Sequence, residues 1–544
     1  MLLITVLCMG LLQAALTQLS GDEALYWMYS RNPDLGYKDH PPVIGLCTGL
    51  GSMILHHELG VRLVVVLLHV TATWLLYRLI KPQSTWEFAL LWFSIPLVQV
   101  YSFIATPDAP LMFFAVCFLV VWKRFLDQQN FRNACWLGVV MAALLWSKYH
   151  GIVLIGLAFL SAPSLWKNKF WWISAAIGVL LFSPHIIWQA VHDLPSLKFH
   201  VVDRAGEFEW KHLLNYLGGQ LLVLNPIVLV LLVWIVWRTR ATGPFERTLR
   251  IVSLGFLSLF MLTALRGRVE PHWTAAAIPA IIALLLLHRA SIKKWMWATL
   301  TVFAGCIVVA RLSLVFHFLP GIPREFYTNR QRMMDVHALA GDLPVCFNNS
   351  YQLPSLYMFY TGGIAHSIND TGGGGAKNQY QFWNYGQYIH EKPFYYVLSY
   401  PARGFDYHQL STGHECWTRE ESGLQIVHRL YLRTDEWHHT CSPGQELVLP
   451  ASISNPNAYA LNFDATTPLL WTAFMNFKEG PLRERIFPVE VNGIPSTLVP
   501  GQVARVEVRL RVPEITGSHR IGIAVREKEL PNTFQSNWLR LEVQ

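Results

Sequence analysis

Eleven apolar runs fill the first three-fifths of this chain, at approximately 1–20, 60–80, 86–104, 109–122, 134–147, 151–166, 171–188, 212–237, 251–265, 273–288 and 295–315. A helix needs about 20 apolar residues to cross a bilayer upright, so the shorter runs predict tilted or broken crossings. The stretch 43–55 reads as an extra short helix. The first run carries no basic segment and no small-residue cleavage site, so it is expected to be a retained helix and not a removable leader. Charged residues are 14% of the 544, against about 25% in an ordinary soluble protein. That excludes a disordered chain, a fibrous chain and a typical soluble enzyme. A mean hydropathy of +0.31 is still too low for a membrane bundle alone. A membrane part joined to a soluble part is the organisation these values predict.

The charges divide the same way. Up to residue 316 there are 24 Lys and Arg against 14 Asp and Glu; beyond it, 19 against 21. The formal charge of +8 therefore belongs to the apolar part, and it is scattered between runs, so no nucleic-acid partner is expected. With the N-terminus in the cytoplasm, the inner loops hold 14 basic residues (from Arg78 and Lys81 to Lys293 and Lys294) and three acidic ones, Glu87, Asp127 and Glu246. The outer segments hold the other 10 basic and 11 acidic residues. This asymmetry predicts an odd number of crossings, eleven, with the N-terminus inside and the C-terminal domains outside.

The outer ends of the runs carry the unusual chemistry. Asp22, Glu23, Asp39, His40, Asp108, Lys148, Arg266, Arg268, Glu270 and His272 all fall there. Charges next to lipid are costly unless they line a cavity or meet headgroups. One such residue is readily an interfacial anchor. The whole set on one side predicts a polar cavity.

The order of the motifs carries the sharper reading. Gly21-Asp22-Glu23-Ala24-Leu25-Tyr26-Trp27 precedes Gly36-Tyr37-Lys38-Asp39-His40-Pro41-Pro42. Then come Thr106-Pro107-Asp108-Ala109-Pro110, Ser147-Lys148-Tyr149, Ile187-Trp188-Gln189-Ala190-Val191-His192-Asp193 and Arg268-Val269-Glu270-Pro271-His272-Trp273. In this order the chain resembles the bacterial relatives of protein O-mannosyltransferases and the lipid A aminoarabinose transferases, GT-C fold enzymes that use polyprenyl-phosphate sugars. The resemblance covers 1–316 and reaches Asn378-Gln379-Tyr380-Gln381-Phe382-Trp383. Two positions depart from it: His272 stands where relatives often carry Asn, and Gln381 where they often carry Asp.

The resemblance implies an inverting glycosyltransferase in a bacterial inner membrane. It would move a sugar from a polyprenyl-phosphate donor to a lipid A, glycan or protein acceptor on the periplasmic face. It makes Asp22 the catalytic base, taking the proton of the acceptor hydroxyl as that oxygen attacks the anomeric carbon. One carboxylate suffices, because the donor phosphate is already a good leaving group. Glu23 would support the loop or bind sugar. Lys148, Arg266 and Arg268 are the candidates for the donor phosphate, Arg being suited to bidentate contact; nothing separates Arg266 from Arg268. Tyr37, Asp39, His40, Asp108, Glu270 and His272 would furnish the substrate cavity. Arg62 serves equally well as a structural residue. The loop 189–211, with Asp203 and Arg204, either gates the acceptor or simply connects. Asp39, His40, Glu270 and His272 also include the ligand types of a divalent metal site, although no spacing resembles a closed zinc site. A structural role for these four by hydrogen bonding is the alternative.

Two outer domains are expected after the apolar part. Residues 317–432 read as a small periplasmic α/β domain. Pro344–Phe347 and Phe394–Leu398 are buried strands, a helix starts near Pro354, and Gly372–Gly375 is a loop without the Lys-Ser/Thr of a phosphate loop. Residues 433–544 read as a β-sandwich, Ig-like domain, because Val503–Val512 alternates apolar and polar and similar runs are separated by turn residues. It would bind carbohydrate or protein, or serve as a packing module. Of the eight Cys, only Cys346, Cys416 and Cys441 lie outside the apolar part, so at most one disulfide forms among them, with Cys416–Cys441 the expected pair. The whole is a polytopic α-helical membrane protein of GT-C type, about 11 transmembrane helices over 1–316, followed by 317–432 and 433–544. A transporter or flippase of lipid-linked sugars, or a non-catalytic envelope assembly protein, are the rival readings. The one-sided charges and the lack of a repeat weigh against the first.

Overall fold

The computed structural model describes all residues except 193, 198–207, 369–378, 465–468, 477–483, 528–529, 531–532 and 535. The chain forms two compact units, Met1–Tyr327 and Thr328–Gln544. The border lies eleven residues beyond the expected cut at 316.

The first unit is helical. It begins with α1 (Leu2–Leu16), α2 (Gly21–Arg31), α3 (Val43–Ser52), α4 (Glu58–Ile80), α5 (Thr85–Ser94) and α6 (Pro96–Val100). There follow α7 (Asp108–Asp127), α8 (Phe131–Ser147), α9 (Gly151–Leu160), α10 (Lys169–Val191) and the short α11 (Pro195–Leu197). It ends with α12 (Trp210–Leu224), α13 (Pro226–Arg238), α14 (Pro244–Ala264), α15 (Ile278–Leu287), α16 (Lys294–Phe316) and the start of α17 (Glu325–Ala340). Five of these helices, α4, α7, α10, α14 and α16, are long and apolar enough to cross a membrane, and seven crossings result if the bent pairs α1–α2 and α12–α13 count as one each. The eleven runs thus do not become eleven long helices. Run 86–104 breaks at Ile95-Pro96, because Pro cannot continue α5. Run 151–166 gives only ten α-helical residues before Pro163 starts a tighter turn.

The two corners have local causes. The chain turns by 90° between α1 and α2, where Ser20 caps α2. It turns by 97° between α12 and α13, where Asn225 holds a φ of +75°, caps Ile227 N with its own oxygen (2.9 Å), and donates from Nδ2 to the Ser94 carbonyl (2.9 Å). Asn tolerates the left-handed region better than most residues, and Pro226 is suited to the first helical position. α15 is buried at every position from Ile278 to Leu286, as expected of a helix that is apolar all round.

In the second unit, β1 (Val345–Asn348), β2 (Ala365–Ile368), β3 (Phe394–Leu398), β4 (Asp406–Gln409) and β5 (Glu415–Glu421) form a sheet of order β2-β1-β3-β5-β4. The first three are parallel, and α18 (Gln352–Thr361) makes the β1-to-β2 crossover. β1 and β3 are the two buried strands expected, and α18 is the helix expected near Pro354.

The β-rich remainder comprises β6 (Tyr431–Thr434), β7 (His438–Cys441), β8 (Glu446–Ser454), β9 (Leu461–Asn462), β10 (Leu470–Asn476), β11 (Glu484–Asn492), β12 (Thr497–Leu498), β13 (Val503–Arg511), β14 (Gly517–Arg526), β15 (Thr533–Phe534) and β16 (Leu539–Val543). Eight of them run β6-β8-β13-β11-β10-β14-β16-β7, with β15 on β14. The first half of β11 pairs with β10 and the second half with β13, so one strand serves both halves of the path. Val506, Val508 and Leu510 of β13 point into one apolar core that also takes Ile521, Ile523, Leu539 and Leu541. The period-2 pattern of β13 is what that core requires. Cys416 lies in β5 and Cys441 in β7, in different sheets, and both thiols are buried and free. The expected Cys416–Cys441 disulfide does not form: each thiol is packed into its own sheet.

Candidate active site

The site starts at the corner between α1 and α2. Ser20 and Glu23 form a reciprocal cap: Ser20 Oγ accepts from Glu23 N (3.4 Å) and Glu23 Oε2 accepts from Ser20 N (3.0 Å). Glu23 is fully buried and carries much more. Its carboxylate takes Arg62 Nε at 2.6 Å, Arg62 Nη2 at 2.7 Å and the Ala105 amide at 2.9 Å. Arg62, also fully buried, spends its remaining donors on the carbonyls of Ala14 (3.2 Å), Thr17 (2.7 Å) and Gln18 (2.9 Å) and on Thr17 Oγ1 (2.9 Å). One buried ion pair thus ties α1, α2, α4 and the turn before α7 together. Asp22 stands beside it on the first turn of α2, partly exposed.

The loop after α2 is held from several sides. The Tyr37 amide donates to the His40 carbonyl (3.1 Å), closing the turn. Tyr37 stacks on Tyr29 at 3.6 Å, and its hydroxyl lies 2.8 Å from the Tyr29 carbonyl. Tyr29 in turn donates to Asp39 Oδ1 (3.0 Å), and His40 Nε2 lies 3.7 Å from Asp39 Oδ2. From the far side, Ser196 Oγ lies 2.9 Å from the Lys38 carbonyl, and His185 Nδ1 2.7 Å from that of Leu35. Gln189 Nε2 donates to Ser196 Oγ (2.7 Å) and to the Tyr149 hydroxyl (3.0 Å), which also meets His185 Nε2 (2.8 Å). The motifs around Tyr149 and Gln189 therefore hold the loop that bears Asp39 and His40. Gly36 is needed here by space, since a Cβ would come within 2.4 Å of Trp188.

Asp108 and Lys148 form the second centre. Lys148 Nζ donates to both oxygens of Asp108, at 2.8 and 2.7 Å, and both side chains are buried. The Tyr101 hydroxyl bonds Asp108 as well, and His272 Nε2 lies 4.0 Å from Oδ2. His40 is near enough to act on the same charge. The structure thus brings Asp39, His40, Asp108, Lys148 and His272 into one neighbourhood. It leaves Arg266 exposed and pairs Arg268 Nε with Glu270 (3.0 Å) at the surface. The four metal-ligand candidates do not form one set: Asp39 faces Tyr29 and His40, whereas Glu270 faces Arg268. Among the described residues no three His, Cys, Asp or Glu side chains are gathered as metal ligands.

An apolar cavity of about 430 Å³ opens beside Lys148, walled by Tyr149, His150, Phe182, Phe260 and Trp273. One site residue escaped sequence reasoning. Glu325, on the first turn of α17, lies within electrostatic reach of Asp22 and Glu23; partial burial and those two carboxylates push its own carboxyl above the usual range. Gln18 holds this segment, through its amide to the Phe326 carbonyl (2.9 Å) and its side chain to that of Tyr327 (3.0 Å). An acid just past Pro323, at a helix start, was the available signal. Asp193, Asp203, Arg204, Gly372–Gly375 and Asn378 lie outside the described residues. Gln381 belongs to the second unit, beside the buried Tyr380, whose hydroxyl meets Ser355 Oγ (3.0 Å).

Residues 39–188, from the Asp39 loop to Trp188, match the dolichyl-phosphate-mannose-protein mannosyltransferase family. The lipid A galacturonosyltransferase RgtD of Rhizobium johnstonii is 26% identical over 298 residues, half of this chain and 61% of that one, so the match spans less than two thirds of its relative. ArnT of Cupriavidus metallidurans superposes with a TM-score of 0.54 at 14% identity, over 77% of this chain and 97% of that one. The same protein bound to undecaprenyl phosphate gives 0.54 at 13% identity, with the same coverage. The chain therefore has the fold of ArnT and resembles, in sequence, the polyprenyl-phosphate-sugar glycosyltransferases of the GT-C class.

Proposed function

We propose that this protein is an inverting glycosyltransferase that moves a sugar from a polyprenyl-phosphate donor to an envelope acceptor, with Asp22 as base. The observation that carries this reading is the division of labour in the acidic pair. Glu23 is consumed by Arg62, Ala105 and Ser20, and its neighbour is thereby held, partly exposed, at a rigid corner. Rigid support of a reacting carboxylate is what general-base catalysis needs. The relative that acts on lipid A and the ArnT complex with undecaprenyl phosphate support a lipid-linked donor and a lipid acceptor.

In this reading the acceptor oxygen attacks the anomeric carbon as Asp22 takes its proton. The bond to the donor phosphate breaks on the opposite side, and the phosphate keeps the electron pair. An ammonium has three donors, and Asp108 engages two of those on Lys148, orienting the third. That third donor and the exposed Arg266 would meet the phosphate, and the apolar cavity of about 430 Å³ would take the start of the prenyl chain. The concentration of basic residues in one set of loops supports a site that faces the periplasm, with the N-terminus in the cytoplasm. If the acceptor is itself a phosphate, Asp22 orients it and need not deprotonate it.

The test is transfer of labelled sugar from purified polyprenyl-phosphate sugar to envelope fractions. Asp22→Asn should abolish transfer without altering membrane insertion or the thermal midpoint. Near-normal transfer by that variant would remove Asp22 from the base position. No transfer by the parent protein to any fraction would favour a transporter or an assembly protein.

A further inference from the structure

A further buried cation, Arg311, lies outside the Asp22 and Lys148 centres. Arg311 sits five residues before the end of α16, so about 8 Å of helix separate it from the end of that span. Its Nε donates to Gln13 Oε1 (3.0 Å), its Nη1 to Gln99 Oε1 (2.7 Å) and its Nη2 to the Met9 carbonyl (3.3 Å). All three acceptors are neutral, and among the described residues no carboxylate pairs with it. The contrast with Arg62 is direct: both guanidiniums lie against the Phe103 ring, yet only Arg62 has its Glu. A cation held among helices without an anion points to a ligand that supplies one.

The space for such a ligand is present. Arg311 lines a cavity of about 400 Å³ between α6, α16 and the segment 319–326. Gln99 and Ser313 are its other polar side chains; Ile104, Ile307, Leu314 and Phe326 make apolar walls. It shares no lining residue with the cavity beside Lys148. An occupant needs an anionic group for Arg311 and an apolar body for the walls, close to the end of a crossing helix. That combination describes an anionic lipid, and basic pockets between membrane helices bind such headgroups.

We propose that this cavity binds an anionic glycerophospholipid, its phosphate on Arg311 and an acyl chain along α16. Phe326 walls the cavity and also accepts the Gln18 amide, so the lipid abuts the segment that closes the α1–α2 corner.

The experiment is native mass spectrometry of the full chain released from nanodiscs of mixed phosphatidylglycerol and phosphatidylcholine, with inorganic phosphate as a separate arm. The parent protein should retain phosphatidylglycerol in preference to phosphatidylcholine. Arg311→Gln should lower that retention about tenfold, the value of one charge-assisted hydrogen bond. Ala310→Trp, which fills the cavity from its lining and leaves the Arg311 bonds in place, should lower it as well and guards against a folding defect in the first variant. Equal retention of the two lipids, undiminished phosphatidylglycerol in either folded variant, or displacement by inorganic phosphate alone would each overturn the proposal.

Discussion

Replacing Arg62 by Met tests whether one buried ion pair organises the site. The substitution keeps the apolar length of the side chain and removes its charge. Glu23, with no exposure, is then left without its cation and loses two of the five hydrogen bonds it accepts. Removing one partner of a buried pair costs about 3–5 kcal/mol, because the other charge is left uncompensated. The carbonyls of Ala14, Thr17 and Gln18 lose their donor too. Such losses overlap, so about 5 kcal/mol is a fair total. At roughly 2 °C per kcal/mol for a large domain, the thermal midpoint should fall by about 10 °C. Scanning fluorimetry in detergent reads this directly from the 22 Trp. The double variant Arg62→Met with Glu23→Gln removes the stranded charge and should regain about half of the loss. An Arg62→Met protein within about 2 °C of the parent would refute the reasoning, as would a double variant no better than the sum of its parts.

Other consequences are equally open to measurement. Lys148→Met should lower kcat/KM about 100-fold, as removal of one oriented donor does, and a value within about threefold of the parent would make the Asp108–Lys148 pair structural only. Gly36→Ala should impair transfer by driving the Asp39 loop off Trp188, with a smaller effect for Gly218→Ala, where a Cβ meets nothing within 4 Å. Glu325 has a raised pKa, so it favours the fold while protonated and opposes it as pH rises through that value. Glu325→Gln should therefore be the more heat-resistant protein at pH 7, with the difference vanishing near pH 4.5; a parent that is equally stable at pH 7 would show that Asp22 and Glu23 do not act on Glu325. In the second unit, His366 and His428 are buried ring to ring at 4.4 Å, and burial pushes His366 down to about 3 and His428 down as well. Their contribution is present above pH 6.5 and is lost as pH falls toward 3, at roughly 1.4 kcal/mol per pH unit for each. Hydrogen-exchange protection factors across residues 345–368, taken relative to the intrinsic rate at each pH, should fall below pH 6.5, and His366→Phe should blunt the effect.

Local signals were legible wherever a cause and its effect lie close in sequence. Ser20 ahead of an acidic pair announces a helix start, and the alternation of Val503–Val512 announces a strand with one buried face. Pro96 and Pro163 lie inside runs read as continuous, 86–104 and 151–166, and the structure breaks both runs at those prolines. What escaped depends on distance along the chain. Glu23 reads as a site acid until Arg62 and Ala105, 39 and 82 residues on, are seen to claim it. Lys148 reads as a phosphate ligand, and its partner Asp108 lies 40 residues earlier. The parity of three outer Cys carries no information about which sheet each strand joins. Glu325 was counted among the charges of the soluble part, and only the Gln18 contacts bring it to Asp22's corner.

The seat of Asp22 also imposes an order in time. Asp22 is synthesised before Arg62, well before Ala105 and some three hundred residues before Phe326 and Tyr327, which Gln18 binds. Glu23 carries a charge with no cation beside it until Arg62 has been inserted, and the corner is incomplete until the last of these segments has been made. The residue proposed as base thus becomes competent only when the membrane unit is whole. On the proposed mechanism, a nascent chain with only its first helices inserted would not yet transfer sugar, and insertion must bridge a long separation before the site closes.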